Sequence, residues 1–125
     1  MYDVELVREI LNQILLSTKT VAKRFASIAS PEDFTISEKG LEKLDAICMQ
    51  LIAIGESVKN LDKVTEGKLL SQYPQVTWNR VKGMRDILTH HYFDLDAEVV
   101  YSVCDTHIEE LAQTIQRMIT DLEDC

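Results

Sequence analysis

An arginine, a histidine and a tyrosine stand at Arg-x4-His-x-Tyr spacing in the run Arg85-Asp86-Ile87-Leu88-Thr89-His90-His91-Tyr92. These residue types suit phosphate chemistry. The guanidinium of Arg85 carries a permanent, forked positive charge that matches a phosphate, and the imidazole of His90 moves protons near neutral pH. The Tyr92 hydroxyl can donate a hydrogen bond or be modified.

The spacing also constrains geometry. Residues five apart on a regular helix differ in direction by about 140°, so Arg85 and His90 do not share a face if a helix runs through both. Two arrangements bring them together: a helix that ends near His90 and lets the imidazole swing back, or a dimer in which two motifs share one cleft. Arg85 and Tyr92, seven apart, lie on nearly one face of a continuous helix. A purely structural reading stands beside these. In it Arg85 pairs with an acid on a neighbouring helix, His90 and His91 are favoured at a helix C-terminus by the macrodipole, and Tyr92 anchors a turn.

The charge distribution bears on the ligand. Thirteen basic and 21 acidic side chains give the 125 residues a net charge of −8, which argues against coating nucleic acid by bulk electrostatics. Residues 59–85 nevertheless hold Lys59, Lys63, Lys68, Arg80, Lys82 and Arg85 against only Asp62 and Glu66, whereas residues 94–125 hold nine acids against Arg117. That asymmetry favours an anionic ligand beside the motif, although solvated helix faces of mixed sign produce similar counts. The three cysteines, Cys48, Cys104 and Cys125, lack CxxC spacing and read as reduced thiols of a cytoplasmic protein. The charged N-terminus has no signal-peptide core, and no apolar run is long enough to span a membrane.

Elements that can position the motif are legible in the apolar period. Val4, Val7, Leu11, Ile14, Thr18, Val21 and Phe25 predict a long first helix over residues 2–28, broken by Ser30-Pro31. Ser37 offers an N-cap for a second long helix to about residue 62, with Leu41, Leu44, Ile47, Leu51, Ile54, Val58 and Leu61 on its stripe. Gly55 within it reads as a close-packing position. Residues 65–72 predict a short helix, Thr77 caps the motif helix, and Asp96 caps a final long helix carrying Val99, Val100, Cys104, Ile108, Leu111, Ile115 and Met118. With no segment of strand period, the fold class is all-α: an antiparallel up-and-down bundle of four to five helices forming one domain over residues 1–125.

Three segments carry a family likeness: Ile54-Gly55-Glu56, Trp78-Asn79-Arg80-Val81-Lys82-Gly83-Met84-Arg85-Asp86, and His90-His91-Tyr92 followed by Phe93-Asp94-Leu95-Asp96. Through them the chain resembles a HEPN domain, and more closely the HepT-like toxins of prokaryotic toxin–antitoxin pairs. The resemblance implies a metal-independent endoribonuclease acting as a homodimer on tRNA or mRNA, without a cofactor, with two motif helices facing each other across a cleft. His90 is then the acid or base, Arg85 the clamp on the phosphorane, Asp86 the residue orienting one of them, and Tyr92 a phosphate contact. It also implies a partner, a minimal nucleotidyltransferase antitoxin that places AMP on the motif tyrosine, here Tyr92, and so blocks the cleft by bulk and charge.

Other residues keep two readings. Glu56 either pairs with Arg85 in the cleft or is an ordinary exposed glutamate. His91 is a surface residue or a secondary RNA contact, and His107 is packing or surface. Lys82, like Lys59, Lys63, Lys68 and Arg80, either guides an RNA backbone or is simply solvated. No His, Cys or carboxylate pair has metal-ligand spacing, so no metal site is expected. Two non-enzymatic readings compete: a HEPN module that binds nucleotide or RNA or scaffolds a transferase, and a plain helical oligomerisation domain.

Overall fold

The structure, a computed structural model, describes residues 2–90 and 96–124, apart from the side chain of His90. Helix α1 spans Val4–Phe25, started by Asp3, whose carboxylate accepts from the backbone N–H groups of Glu5 (3.0 Å) and Leu6 (3.2 Å). Such a cap satisfies donors that the first turn leaves without a partner. After the break predicted at Pro31, a single 3-10 turn, Pro31–Phe34, swings the chain back and buries Phe34 completely. Asp33 holds this turn by accepting from the N–H groups of Ala29 (2.7 Å) and Ser30 (3.3 Å).

Ser37 caps α2 as expected, its hydroxyl accepting from the Gly40 N–H at 3.0 Å, and α2 runs over Glu38–Val64. The short helix predicted for residues 65–72 is a correction. Glu66 and Gly67 take positive φ (55° and 74°), which ends helical winding. Only one 3-10 turn, Leu70–Gln72, survives. Helix α3, Trp78–His90, follows Thr77. Asp96 then caps α4, Ala97–Ser102, by accepting from the Glu98 N–H at 2.9 Å. The predicted single final helix is interrupted: a π turn, Val103–His107, separates α4 from α5, Ile108–Glu123. The apolar period continues across this turn, so periodicity cannot reveal it.

The result is a helical bundle of four rods, the last one divided, with no strand among the described residues. Helix α1 packs on both α2 and α5, while α3 packs chiefly on α2. Val7, Leu11, Ile14, Ile47, Leu51, Ile54, Val58, Leu61, Ile115 and Met118 form the centre of the core. Val4, Leu41 and Val99, which the sequence puts on the buried stripes, are instead exposed. Each lies in the first turn or so of its helix, where the bundle no longer covers it. Among the described residues no helix is long and apolar enough to cross a membrane.

Buried acids with displaced titration make the fold sensitive to alkali. Burial and then the charge of Asp45 push the Cys48 thiol from 9.0 up to about 11, and burial followed by Cys48 pushes Cys104 to about 12. Tyr73 rises from 10.0 to about 12 through burial and then its 2.6 Å hydrogen bond to Asp121. All three folded values lie above the unfolded ones, so the unfolded chain loses these protons first. Their contribution is complete below about pH 9 and is lost as pH rises through the range from roughly 9 to 12. The urea midpoint is expected to be lower at about pH 10.5 than at about pH 8, with a correspondingly smaller shift for Tyr73→Phe; equal midpoints would contradict it.

Candidate active site

The start of α3 is fixed from below. The buried indole of Trp78 donates to the Tyr73 carbonyl at 2.8 Å, and the Tyr73 hydroxyl donates to Asp121 of α5 at 2.6 Å. Val81, Met84 and Leu88 turn inward at helical spacing. The remaining constraint is Gly55 on α2. A Cβ built there would lie 3.0 Å from the Val81 carbonyl oxygen and 3.3 Å from the Arg85 backbone nitrogen. The absence of that atom lets the backbone of α3 rest directly on α2 at Arg85. The close approach expected of Gly55 is therefore made at the motif itself.

This docking sets the next residue, Glu56, beside Arg85. Nε of Arg85 lies 3.1 Å from Glu56 Oε1, and its Nη1 lies 3.1 Å from Asp86 Oδ1. The guanidinium is thus bracketed by one carboxylate from α2 and one from its own helix. Such charge-assisted bonds fix the plane of the fork more than they stabilise the fold, because all three side chains are about half exposed and water screens the charges. The Thr89 hydroxyl donates to the Arg85 carbonyl at 2.8 Å, tying the two ends of this turn.

Helix α3 continues from Arg85 to His90, its last residue, so the two backbone positions are about 140° apart around the axis. The His90 side chain, and His91 and Tyr92 entirely, lie outside the described residues. Lys82, one turn before Arg85, forms an ion pair with Asp62 of α2 (Nζ–Oδ2 2.9 Å). Lys59, Asp62 and Lys63 of α2 line a shallow groove with Asn79, Lys82, Gly83 and Asp86 of α3. Lys68 instead pairs with Glu66 at 3.8 Å, and neither it nor Arg80 lines the groove. His107 is exposed in the π turn. Asp62, Asn79 and Gly83 are the lining residues that sequence reasoning passed over. The signal available for Asp62 was its register opposite Lys82 in the α2–α3 hairpin, which Gly55 against Arg85 would have fixed.

Comparison with known proteins leads in one direction. The family described as ribonuclease HepT-like matches residues 14–118. A protein of Methanocaldococcus jannaschii named "Putative RNase MJ0127" is 31% identical over 117 residues, covering 94% of this chain and 90% of its own. "Putative RNase TTE0752" of Caldanaerobacter subterraneus subsp. tengcongensis is 30% identical over 112 residues, covering 90% and 93%. A second Methanocaldococcus jannaschii protein, "Putative RNase MJ0125", is 31% identical over 93 residues, 74% of each chain. No solved structure matches the chain significantly. The matched region contains all of α2 and α3, and with them Gly55, the bracketed Arg85 and the groove. The chain belongs to the HepT-like ribonuclease family.

Proposed function

We propose that this ribonuclease is a metal-independent endoribonuclease toxin that works in the cytoplasm as a homodimer. It cleaves tRNA or mRNA at Arg85 and His90, and a minimal nucleotidyltransferase antitoxin neutralises it by placing AMP on Tyr92. The observation that carries the catalytic reading is the bracketed guanidinium of Arg85, a fixed cation held half exposed at the surface.

RNA brings its own nucleophile. A base at His90 takes the proton of the 2′-hydroxyl, the 2′-oxygen bonds to phosphorus, and the bond to the 5′-oxygen breaks as that oxygen is protonated. The products are a 2′,3′-cyclic phosphate and a 5′-hydroxyl. Arg85 stabilises the charge that gathers on the phosphoryl oxygens, with Glu56 and Asp86 keeping its fork from reorienting during the step. The divergence of Arg85 and His90 around α3 supports a dimer. So does the position of α3 at the edge of the bundle, with Ile87 58% exposed. A second α3 brings an arginine from one copy towards a histidine of the other.

Purified protein incubated with total tRNA in excess EDTA is expected to yield fragments with 2′,3′-cyclic phosphate and 5′-hydroxyl ends. Protein co-expressed with the transferase and ATP is expected to gain multiples of the AMP mass on Tyr92 and to lose that cleavage. Cleavage that requires added metal, or RNA left intact throughout, would defeat the reading.

A further inference from the structure

We propose that the groove between α2 and α3 is a phosphate track that binds the RNA strand next to the scissile bond, with Gly83 as the bare floor on which the strand lies. The inference rests on the ribonuclease reading and extends it to a binding subsite.

The groove follows the seam of the α2–α3 hairpin. Asn79, Lys82, Gly83 and Asp86 stand at positions i, i+3, i+4 and i+7, so they form one stripe of α3, and Lys59, Asp62 and Lys63 form the facing stripe of α2. From Asn79 to Asp86 the stripe covers about 10 Å of helix. At one end it reaches Asp86, the residue that pairs with Arg85. A strand lying in it therefore leads directly to the motif.

Its charges are sorted for an anion. The Asp62 carboxylate is engaged by Lys82 at 2.9 Å, and that of Asp86 by Arg85 at 3.1 Å. Lys59 and Lys63, both exposed, form no ion pair among the described residues. A chain of net charge −8 thus keeps two ammonium groups, unpaired among the described residues, and the Asn79 amide on one short groove. Phosphodiesters, which bind through just such point charges, are the matching ligand.

Gly83 is the independent observation. It sits inside α3, where glycine costs roughly 1 kcal/mol relative to alanine. At Gly55 a Cβ would strike backbone, but a Cβ built on Gly83 would meet nothing within 4 Å. Packing among the described residues does not require this glycine. A missing side chain on the floor of a cationic groove lets a sugar-phosphate backbone approach the helix closely.

The test uses the full-length protein and a fluorescein-labelled single-stranded RNA with 2′-O-methyl groups throughout, which cannot supply the nucleophile. Binding is read by anisotropy across a salt series, beside KM and kcat for tRNA cleavage. Lys59→Ala/Lys63→Ala is expected to weaken binding and to flatten the slope of log Kd against log salt by about 1.4, the value for two phosphate contacts on a single strand. It should raise KM with little change in kcat. Asp62→Asn, which releases Lys82, should tighten binding. Gly83→Ala should melt at a higher temperature yet bind RNA several-fold more weakly, a combination that a purely structural glycine does not produce.

If wild-type protein binds and cleaves RNA while these variants keep its Kd and salt slope, the track is refuted and the ribonuclease reading stands. A Gly83→Ala protein with unchanged RNA affinity but an altered sedimentation coefficient would assign the bare floor to a protein contact, which also overturns it. Wild-type protein that neither binds nor cleaves RNA removes both the reading and the track.

Discussion

His90→Ala is expected to slow RNA cleavage by about 10²- to 10⁴-fold, the range for losing a positioned general acid or base. Arg85→Ala should cost about 10²- to 10³-fold, as when one preorganised donor to a developing charge is removed. Both proteins should keep the helical circular dichroism of wild type, because the ion pairs of Arg85 are half exposed and contribute at most about 1 kcal/mol to folding. Arg85→Lys should recover little, since an ammonium cannot reproduce the fork that Glu56 and Asp86 hold in plane. A mixture of the two alanine variants separates two architectures. If the arginine of one copy serves the histidine of the other, each mixed dimer rebuilds one intact site, and activity returns to about a quarter of wild type once subunits exchange. If both residues act from the same chain, mixing restores nothing. Fully active His90→Ala protein would end the assignment of this motif as the catalytic centre.

How far such a site can be read from sequence depends on which physical rule fixes each residue. The Arg85 and His90 spacing is local, so its divergence around a helix follows from 100° per residue, and α3 does persist to His90. The helix starts at Ser37 and Asp96 are also local, since a short polar side chain satisfying first-turn N–H groups leaves a signature in the sequence. The pairing of Glu56 with Arg85 depends on the register of two helices, so the sequence allowed both this pair and an ordinary exposed glutamate. Lys82 with Asp62 depends on the same register, and the five neighbouring cations looked alike until the hairpin sorted Lys59, Lys63 and Lys82 into one groove. Residues 65–72 misled because their composition allows a helix, whereas the positive φ of Glu66 and Gly67 is imposed by a chain that must turn back onto α2. The π turn at Val103–His107 preserves the apolar stripe and so leaves the period intact.

Gly55→Val is expected to damage fold and activity together, for one geometric reason. The first added atom would lie 3.0 Å from the Val81 carbonyl oxygen and 3.3 Å from the Arg85 nitrogen, tighter than ordinary van der Waals contact. Both neighbours are backbone atoms of α3, so no rotamer change relieves the contact and the helix must move away as a unit. Overpacking of this kind costs about 1 to 3 kcal/mol, and valine's two γ-methyl groups leave it little of the helix-propensity gain of roughly 1 kcal/mol that alanine would bring. At about 4 °C per kcal/mol for a chain of this size, a fall in Tm on the order of 4 to 12 °C should be measurable by calorimetry. The displacement also opens the site, because Glu56 stays with α2 while Arg85 leaves with α3, and their 3.1 Å ion pair cannot survive it unchanged. Cleavage should therefore fall in the folded protein below its Tm, chiefly in kcat, since a loosened guanidinium loses more transition-state stabilisation than substrate binding. Gly55→Ala should show the same effects at smaller size. A Gly55→Val protein with the wild-type Tm would show that α3 does not rest on α2 at this glycine, and the bracketed arginine would lose the contact that positions it.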